Sequence, residues 1–229
     1  MRVLLVSATM LEVLPTIAAN IPSASEISGF GAAGTLLTGK GLDCLITGLG
    51  QMQCGIHLTA LLARERYDLV VQAGIAGSFT DRFPKRSIAV VSQESLADLG
   101  AEDNGGFLDL MEMGLLDPNQ PPFSQGRLIA PELLIKALSA LPRASSVTVN
   151  RVLSSESNIA WVRERYVPEL VNMEGAALFY ACLLKNVPFV SLRSVSDMVG
   201  ARDKGSWDIP GAVAVLNATL GVLLEESMS

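Results

Sequence analysis

The 229-residue sequence has few cysteines, an excess of acidic over basic side chains, and no long uncharged apolar run. Its three cysteines are an odd number without a Cys-x-x-Cys spacing, which favours a reduced, cytoplasmic chain. The longest apolar stretch, Ala212–Leu224, contains Asn217 and is too short to cross a membrane. The first ten residues lack the pattern of a signal peptide. We therefore expect no disulfide framework, no metal site and no membrane span.

The shortage of positive charge bears on the partners of the chain. Lys and Arg total 17 against 23 Asp and Glu, a formal net charge of −6, whereas a nucleic-acid binder needs a basic surface for phosphates. Hydrophobic residues make up 49% and charged residues 17%, enough apolar surface to exclude intrinsic disorder. The length and the absence of a linker, repeat or low-complexity tract predict a single domain over residues 1–229.

A short apolar run, a glycine-rich break and a helix recur along the chain. This order predicts an α/β fold around a mostly parallel central sheet. Strands are predicted at Arg2–Val6, Leu42–Thr47, Asp68–Gln72, Ser87–Ser92, Ser146–Leu153 and Pro188–Ser194, with a hairpin of Glu26–Phe30 and Gly34–Thr38. Helices are predicted from Met10 after a Ser7 or Thr9 cap, and at Gln51–Arg66, Glu132–Ala140, Asn158–Tyr166, Glu174–Lys185 and Ala212–Glu226. The glycine-rich segment Ala73–Ser78 is predicted to be a turn, and Ala97–Pro122 a long surface excursion.

In such a fold, functional groups gather at the carboxyl ends of the strands. Glu12 follows the first strand, Glu174 opens an apolar helix, and Asp197 ends the last strand four residues after Arg193. Glu174 could accept two hydrogen bonds from a vicinal diol, and a buried Asp197 could be a general acid. The alternatives are acids that stabilise helix N-termini and a structural Arg–carboxylate pair.

The glycine motifs do not predict a cofactor. Gly48-Leu49-Gly50 lacks the third glycine of a dinucleotide fingerprint, since position 53 is Gln53. The 73–78 segment lacks the Lys-Ser/Thr ending of a phosphate-binding loop. No cofactor is expected.

Several segments in one order resemble a known superfamily. They are Glu12-Val13, Val70–Gly77 (VVQAGIAG), Val171–Ala177 (VNMEGAA) and Arg193–Asp197 (RSVSD). Together they resemble the nucleoside phosphorylases and nucleosidases, nearest the purine nucleosidases. The resemblance implies a three-layer α/β/α fold with a mixed, mostly parallel, twisted sheet.

Within that superfamily, Glu94–Asp103, Gly105–Phe107 and Ser194–Trp207 resemble the futalosine hydrolases. That resemblance implies a cytoplasmic, metal-free homodimer acting in menaquinone biosynthesis, which releases the purine base from futalosine or its 6-amino relative with water. A methylthioadenosine/adenosylhomocysteine nucleosidase, a nucleoside phosphorylase and a non-catalytic nucleoside-binding protein stay open as alternatives. Because no Arg or Lys lies between Asp68 and Thr80, phosphate has no evident cation there, which favours water as the nucleophile.

The resemblance also implies roles for individual residues. Asp197 would protonate the purine, Glu12 would activate water, Glu174 would hold the ribose hydroxyls with Met173 under the sugar, and Arg193 would position Glu12 or the water. The other residues expected to face the substrate are Ala76, Gly77, Asn158, Ser196 and Trp207. For the far end of the substrate, the 97–107 loop and Trp207 are candidate walls, and Arg202 and Lys204 are candidate cations.

Overall fold

The fold is organised by a mixed β-sheet with helices on both faces. The computed structural model describes residues 1–21, 32–103, 106–132, 136–200 and 203–228. The strands are β1 Val3–Ser7, β2 Thr35–Thr38, β3 Leu42–Ile46, β4 Leu69–Ser78, β5 Ile88–Leu96, β6 Gly100–Asp103, β7 Gly106–Asp109, β8 Leu128–Ile129, β9 Arg143–Thr148, β10 Leu170–Asn172 and β11 Phe189–Met198. The helices are α1 Met10–Asn20, α2 Gln51–Leu62, α3 Lys136–Ser139, α4 Glu156–Tyr166, α5 Gly175–Lys185 and α6 Ile209–Met228.

The main sheet has the strand order β10-β9-β5-β11-β4-β1-β3-β2, with β8 beside β5. Its central pairs, β3–β1, β1–β4 and β4–β11, are parallel. The pairs of β11 with β5 and of β2 with β3 are antiparallel, so the sheet is mixed, as predicted. Strand β10 also pairs with β4, which closes β4, β11, β5, β9 and β10 into a ring.

Two hydrophobic cores lie on opposite faces of this sheet, and β1 is therefore buried on both sides. Val3 and Leu5 pack with α1 and α6 in one core, and Leu4 and Val6 pack with α2 and α5 in the other. The result is the three-layer α/β/α arrangement that the resemblance implied. The three cysteines are free and buried.

The largest correction concerns residues 73–78. They are not a turn: β4 runs without a break from Leu69 to Ser78, paired with β11 along its length. The small residues serve close packing here, since a Cβ on Gly74 would lie 2.3 Å from Nη1 of Arg193. The glycines therefore allow neighbouring side chains to approach the backbone of β4, and they do not mark a turn as predicted.

Other boundaries also differ from the prediction. Strand β11 continues through Asp197 to Met198, with a register shift between Val195 and Asp197. The short strand β10 was not predicted, and the surface excursion contains the hairpin β6–β7. The partner of β2 is β3, whereas the predicted partner 26–30 lies outside the described residues.

Helix α6 is longer than predicted. Its segment Ile209–Ser227 has a mean hydropathy of 1.3 and is long and apolar enough to cross a membrane, by length and composition only. Core helices of soluble proteins can have the same length and composition. One face of α6 is buried against α1, β4 and β11, through Leu216, Leu220 and Leu223. This packing accounts for the apolar residues on that face, whereas Ile209 and Val222 are 40% and 60% exposed.

Candidate active site

One cavity of about 390 Å³ opens at the carboxyl ends of β1, β4, β10 and β11. Its walls include three acidic side chains from distant parts of the sequence: Glu12, Glu174 and Asp197. Glu12 and Asp197 meet because β1 and β11 are both parallel to β4, so that these strands end at one edge of the sheet. Glu174 joins them because β10, which it follows, pairs antiparallel with the carboxyl end of β4.

Glu12 is held by hydrogen bonds to both oxygens of its carboxylate. Its Oε2 accepts from the backbone N–H of Thr9 at 3.0 Å and from the Thr9 hydroxyl at 2.9 Å, in a capping box at the start of α1. The Ser7 hydroxyl lies 3.1 Å from the same oxygen. Within the described part of the chain, the other oxygen, Oε1, accepts from one donor, the N–H of Ile75, at 3.1 Å. Oε1 is therefore the atom with lone-pair capacity left for another partner.

Arg193 lies behind the cavity rather than on its wall. Its side chain is 2% exposed, and Nη2 donates to Oδ1 of Asn172 at 3.2 Å. Both Nη1 of Arg193 and Oε1 of Glu12 lie within about 3 Å of the place where a Cβ on Gly74 would be. The guanidinium thus sits on the side of Glu12 that has spare lone pairs.

Glu174 is the N-cap residue of α5, and its Oε1 accepts from the N–H of Gly50 at 2.8 Å. Burial raises the pKa of its carboxyl, and the charge of Glu12 raises it further, against the opposing effect of Arg193. The carboxylates of Glu12 and Glu174 therefore share the field of one buried cation.

Asp197 lies where the register of β11 shifts, next to Gly77 of β4. Its Oδ1 accepts from the hydroxyl of Ser196 at 2.7 Å, and a Cβ on Gly77 would approach its Oδ2 to 3.2 Å. Burial raises the pKa of this carboxyl, opposed by the Ser196 hydrogen bond and by Lys85. A raised pKa is what a general acid needs to keep its proton near neutrality.

The remainder of the wall is largely apolar. It is contributed by Ala8, Leu11, Leu49, Ile75, Val149, Val152, Leu153, Val171, Met173, Met198, Val199, Trp207, Ile209 and Val213, among others. Among the described residues that line the cavity there is no Arg or Lys. The space thus suits a mostly apolar ligand whose polar atoms face carboxylates.

Most of the predicted substrate-facing residues line this cavity: Ala76, Gly77, Met173, Glu174, Ser196 and Trp207. Asn158 does not. It lies in the first turn of α4, where its N–H donates to the capping hydroxyl of Ser155. The 97–107 segment contributes no described residue to the wall either, because β5 carries the chain away from the cavity into the β6–β7 hairpin. Arg202 and the side chain of Lys204 lie outside the described residues.

Two buried polar residues were missed at the sequence level. Asn172 lies on the wall of the cavity, and Glu94 lies directly behind it, fully buried in β5. Asn172 is adjacent to the recognised Met173-Glu174 pair, which was the available signal. Glu94 begins the segment Glu94–Asp103 that resembles the futalosine hydrolases, but its role was missed because its partners are 54 and 78 residues away in sequence.

The described residues contain no group of three or more His, Cys, Asp or Glu side chains placed to hold a metal ion. The carboxyl groups of the cavity can donate or accept protons and can accept hydrogen bonds from hydroxyl groups.

Comparison with known proteins gives a consistent result. A model of the phosphorylase superfamily matches residues 2–224. The chain is 33% identical to futalosine hydrolase of Streptomyces coelicolor over 80% of this chain and 78% of that protein. It is 29% identical to 5'-methylthioadenosine/S-adenosylhomocysteine nucleosidase of Bacillus pumilus, over 74% of this chain and 73% of that protein.

Solved structures show the same fold. The nucleosidase of Colwellia psychrerythraea in complex with adenine superposes with a TM-score of 0.78 at 22% identity, over 99% of this chain and 95% of that one. Native futalosine hydrolase of Helicobacter pylori gives a TM-score of 0.76 at 16% identity, over 99% and 98%. By its family match and its curated relatives, this chain belongs to the phosphorylase superfamily.

Proposed function

We propose that this chain is a hydrolase that cleaves the N-glycosidic bond of a purine nucleoside, and that the nucleoside is futalosine or its 6-amino relative. The observation that carries the proposal is the meeting of Glu12, Glu174 and Asp197 on one cavity of about 390 Å³. The similarity to futalosine hydrolases supports the choice of substrate.

Hydrolysis of a purine riboside needs a proton at the leaving base and a base for the incoming water. Asp197 donates the proton, to N7 of the purine, since burial raises the pKa of its carboxyl. Ser196 hydrogen-bonds to Oδ1 of Asp197 and holds the carboxyl in place. The base then leaves as a neutral molecule.

Water is activated on the opposite side of the sugar by Glu12. Its Oε2 is occupied by Thr9, so the water binds at Oε1, next to the guanidinium of Arg193. Glu174 accepts hydrogen bonds from the ribose hydroxyls, with Met173 against the sugar. The negative charge of these carboxylates stabilises the positive charge that develops on the ribose.

Water, rather than phosphate, is the nucleophile. A phosphate anion would meet Glu12 and Glu174 and, among the described lining residues, no Arg or Lys. Gln72 of β4 lies in the segment between Asp68 and Thr80, which has no Arg or Lys. It is buried and accepts a hydrogen bond from the Ser191 hydroxyl at 2.9 Å.

A methylthioadenosine/adenosylhomocysteine nucleosidase is the second candidate, since several relatives have that name. The test is chromatography of the base released from futalosine, aminofutalosine and 5'-methylthioadenosine, with and without phosphate, with Asp197→Asn as the blank. We expect the highest kcat/KM on a futalosine and no effect of phosphate. A higher kcat/KM on 5'-methylthioadenosine would refute futalosine as the substrate. A rate that depends on phosphate would refute hydrolysis and indicate phosphorolysis.

We propose further that residues 1–229 act as one domain and that the protein is a cytoplasmic homodimer serving menaquinone biosynthesis. An exposed apolar surface supports the dimer: Leu49, Met52 and Ile56 are 60–72% exposed at the start and along one face of α2. Leu184 is similarly exposed on α5, which packs against α2. Analytical ultracentrifugation tests the dimer: a monomeric wild type, or an Ile56→Glu variant as dimeric as wild type, would contradict this surface as the interface.

A further inference from the structure

A buried network of polar side chains lies beneath the cavity and connects β5, β9 and β10 with the start of α5. Its deepest member is Glu94, which has no solvent exposure. One oxygen of Glu94 accepts from Nδ2 of Asn172 at 2.6 Å, and the other accepts from the Thr148 hydroxyl at 2.8 Å. The Thr148 hydroxyl in turn accepts from the N–H of Ala176 at 2.8 Å.

Asn172 uses the two ends of its carboxamide for different partners. Its Oδ1 accepts from the backbone N–H groups of Glu174, at 3.0 Å, and Gly175, and from Nη2 of Arg193 at 3.2 Å. Its Nδ2 donates to Glu94 and to the hydroxyl of Ser146. A flipped carboxamide would place an NH₂ group against three N–H donors, so one orientation is required.

Glu94 fixes the same orientation from the other end of the carboxamide, because an ionised carboxylate accepts the hydrogen bond from Nδ2 and has no donor to offer in return. The fit around it is close: a Cβ on Gly175 would lie 2.0 Å from Oε1 of Glu94. Burial raises the pKa of Glu94 to about 7, opposed first by the charge of Arg193 and then by its hydrogen bonds. A carboxyl in such a place is costly unless its hydrogen bonds are used.

We propose that Glu94 and Asn172 are a positioning pair for the reaction, in which Glu94 orients the carboxamide of Asn172 and Asn172 holds the backbone of Glu174 and the guanidinium of Arg193. The inference rests on the proposed function, in which Glu174 binds the ribose hydroxyls. A displacement of about 1 Å in such groups is enough to slow a reaction about 10²-fold.

A reciprocal exchange tests the pair. Asn172→Asp removes the NH₂ donor and places a second carboxylate 2.6 Å from Glu94. Glu94→Gln keeps an acceptor for Asn172 and offers an NH₂ group on its other end. In the double variant, the NH₂ group of the new glutamine faces the new carboxylate, so the hydrogen bond is restored in the opposite direction with the same total charge.

The measurements are kcat and KM on the nucleoside that wild type cleaves and on its 2'-deoxy form, together with thermal unfolding. Asn172→Asp should lower kcat/KM at least about 10-fold on the ribo substrate and clearly less on the deoxy substrate. The double variant should recover most of that loss. The matched control is the carboxylate–carboxamide pair of Asp98 and Asn150, which joins the segments after β5 and β9 outside the cavity lining. Asp98→Asn and Asn150→Asp should leave the ribo-to-deoxy ratio unchanged.

Equal losses on both substrates, or a double variant no better than Asn172→Asp, would overturn the positioning role and leave only a structural one. If Asn172→Asp does not fold, Asn172→Ser replaces it for the comparison of substrates, and an unchanged ratio there also overturns the proposal. A wild type that cleaves no purine nucleoside would instead refute the proposed function, so the two failures are distinguishable.

Discussion

Glu12→Gln should damage both activity and stability, because Glu12 joins a proton-accepting role to a structural one. Glutamine cannot take up a proton from water at neutral pH, and general base catalysis contributes about 10²–10⁴-fold. We therefore expect kcat to fall at least about 100-fold. The neighbouring Glu174 provides a second signal: the charge of Glu12 raises the pKa of that carboxyl, so its removal should lower this pKa.

The loss of stability follows from the donors around Glu12. N–H or O–H groups face both of its oxygens: Thr9 at Oε2 and Ile75 at Oε1. Glutamine satisfies one side, and its NH₂ group then faces an N–H on the other. A buried N–H left without an acceptor in this way lowers the free energy of unfolding by about 1–3 kcal/mol.

Steady-state kinetics and urea unfolding measure the two effects on the same preparation. Glu156→Gln is the matched control, since Glu156 is an exposed acid in the first turn of α4. It should change stability by no more than a few tenths of a kcal/mol and leave kcat unchanged. A Glu12→Gln enzyme within about 3-fold of wild-type kcat would remove Glu12 from the mechanism. Unchanged stability would show that the hydrogen bonds to Glu12 are worth less than argued.

Three further predictions concern other parts of the site. Asp197→Asn should lower kcat at least about 100-fold with intact folding by circular dichroism, and near-normal turnover would exclude Asp197 as the acid. Gly74→Ala should displace Arg193, whose Nη1 lies 2.3 Å from the new Cβ, and lower kcat/KM about 10-fold or more. Gly221→Ala is the control, since its new Cβ would lie in open space on α6. Equal kcat/KM values for the two variants would contradict the packing role of Gly74. Because the pKa of Glu94 is higher in the folded state than in the unfolded one, Glu94 should lower the free energy of unfolding as pH rises from about 4.5 to 7, by up to about 3 kcal/mol. Glu94→Gln should remove this change. Parallel pH profiles of the unfolding free energy for wild type and variant would refute the prediction.

The parts of the site that the sequence predicts are those tied to local patterns. Thr9 and Glu12 form a capping box three residues apart, directly after a buried strand. Glu174 opens an apolar helix, and Asp197 follows a run of buried strand residues. Because β1 and β11 both run parallel to β4, the convergence of Glu12 and Asp197 follows from the fold class. The position of Glu174 does not, since it follows β10, an unpredicted strand that runs antiparallel to β4.

The parts that the sequence does not predict depend on partners far along the chain. The orientation of Asn172 is set by Glu94, 78 residues earlier, and by Arg193, 21 residues later. Nothing in the periodicity of β5 distinguishes Glu94 from an acid that faces solvent. Asn158, in turn, was expected at the site from the resemblance alone, but it lies in the first turn of α4, outside the cavity lining, where its N–H donates to the hydroxyl of Ser155.

The misinterpreted glycines of β4 show why the site lies where it does. Glycine is unfavourable in a strand interior, and the segment was therefore taken for a turn. Yet β4 lies between β1 and β11, the strands whose ends deliver Glu12 and Asp197. A side chain at Gly74 would occupy the space of Arg193, and one at Gly77 would press on Asp197. Because β4 has no side chains at these two positions, the charged groups of the neighbouring strands can lie close to its backbone and converge there.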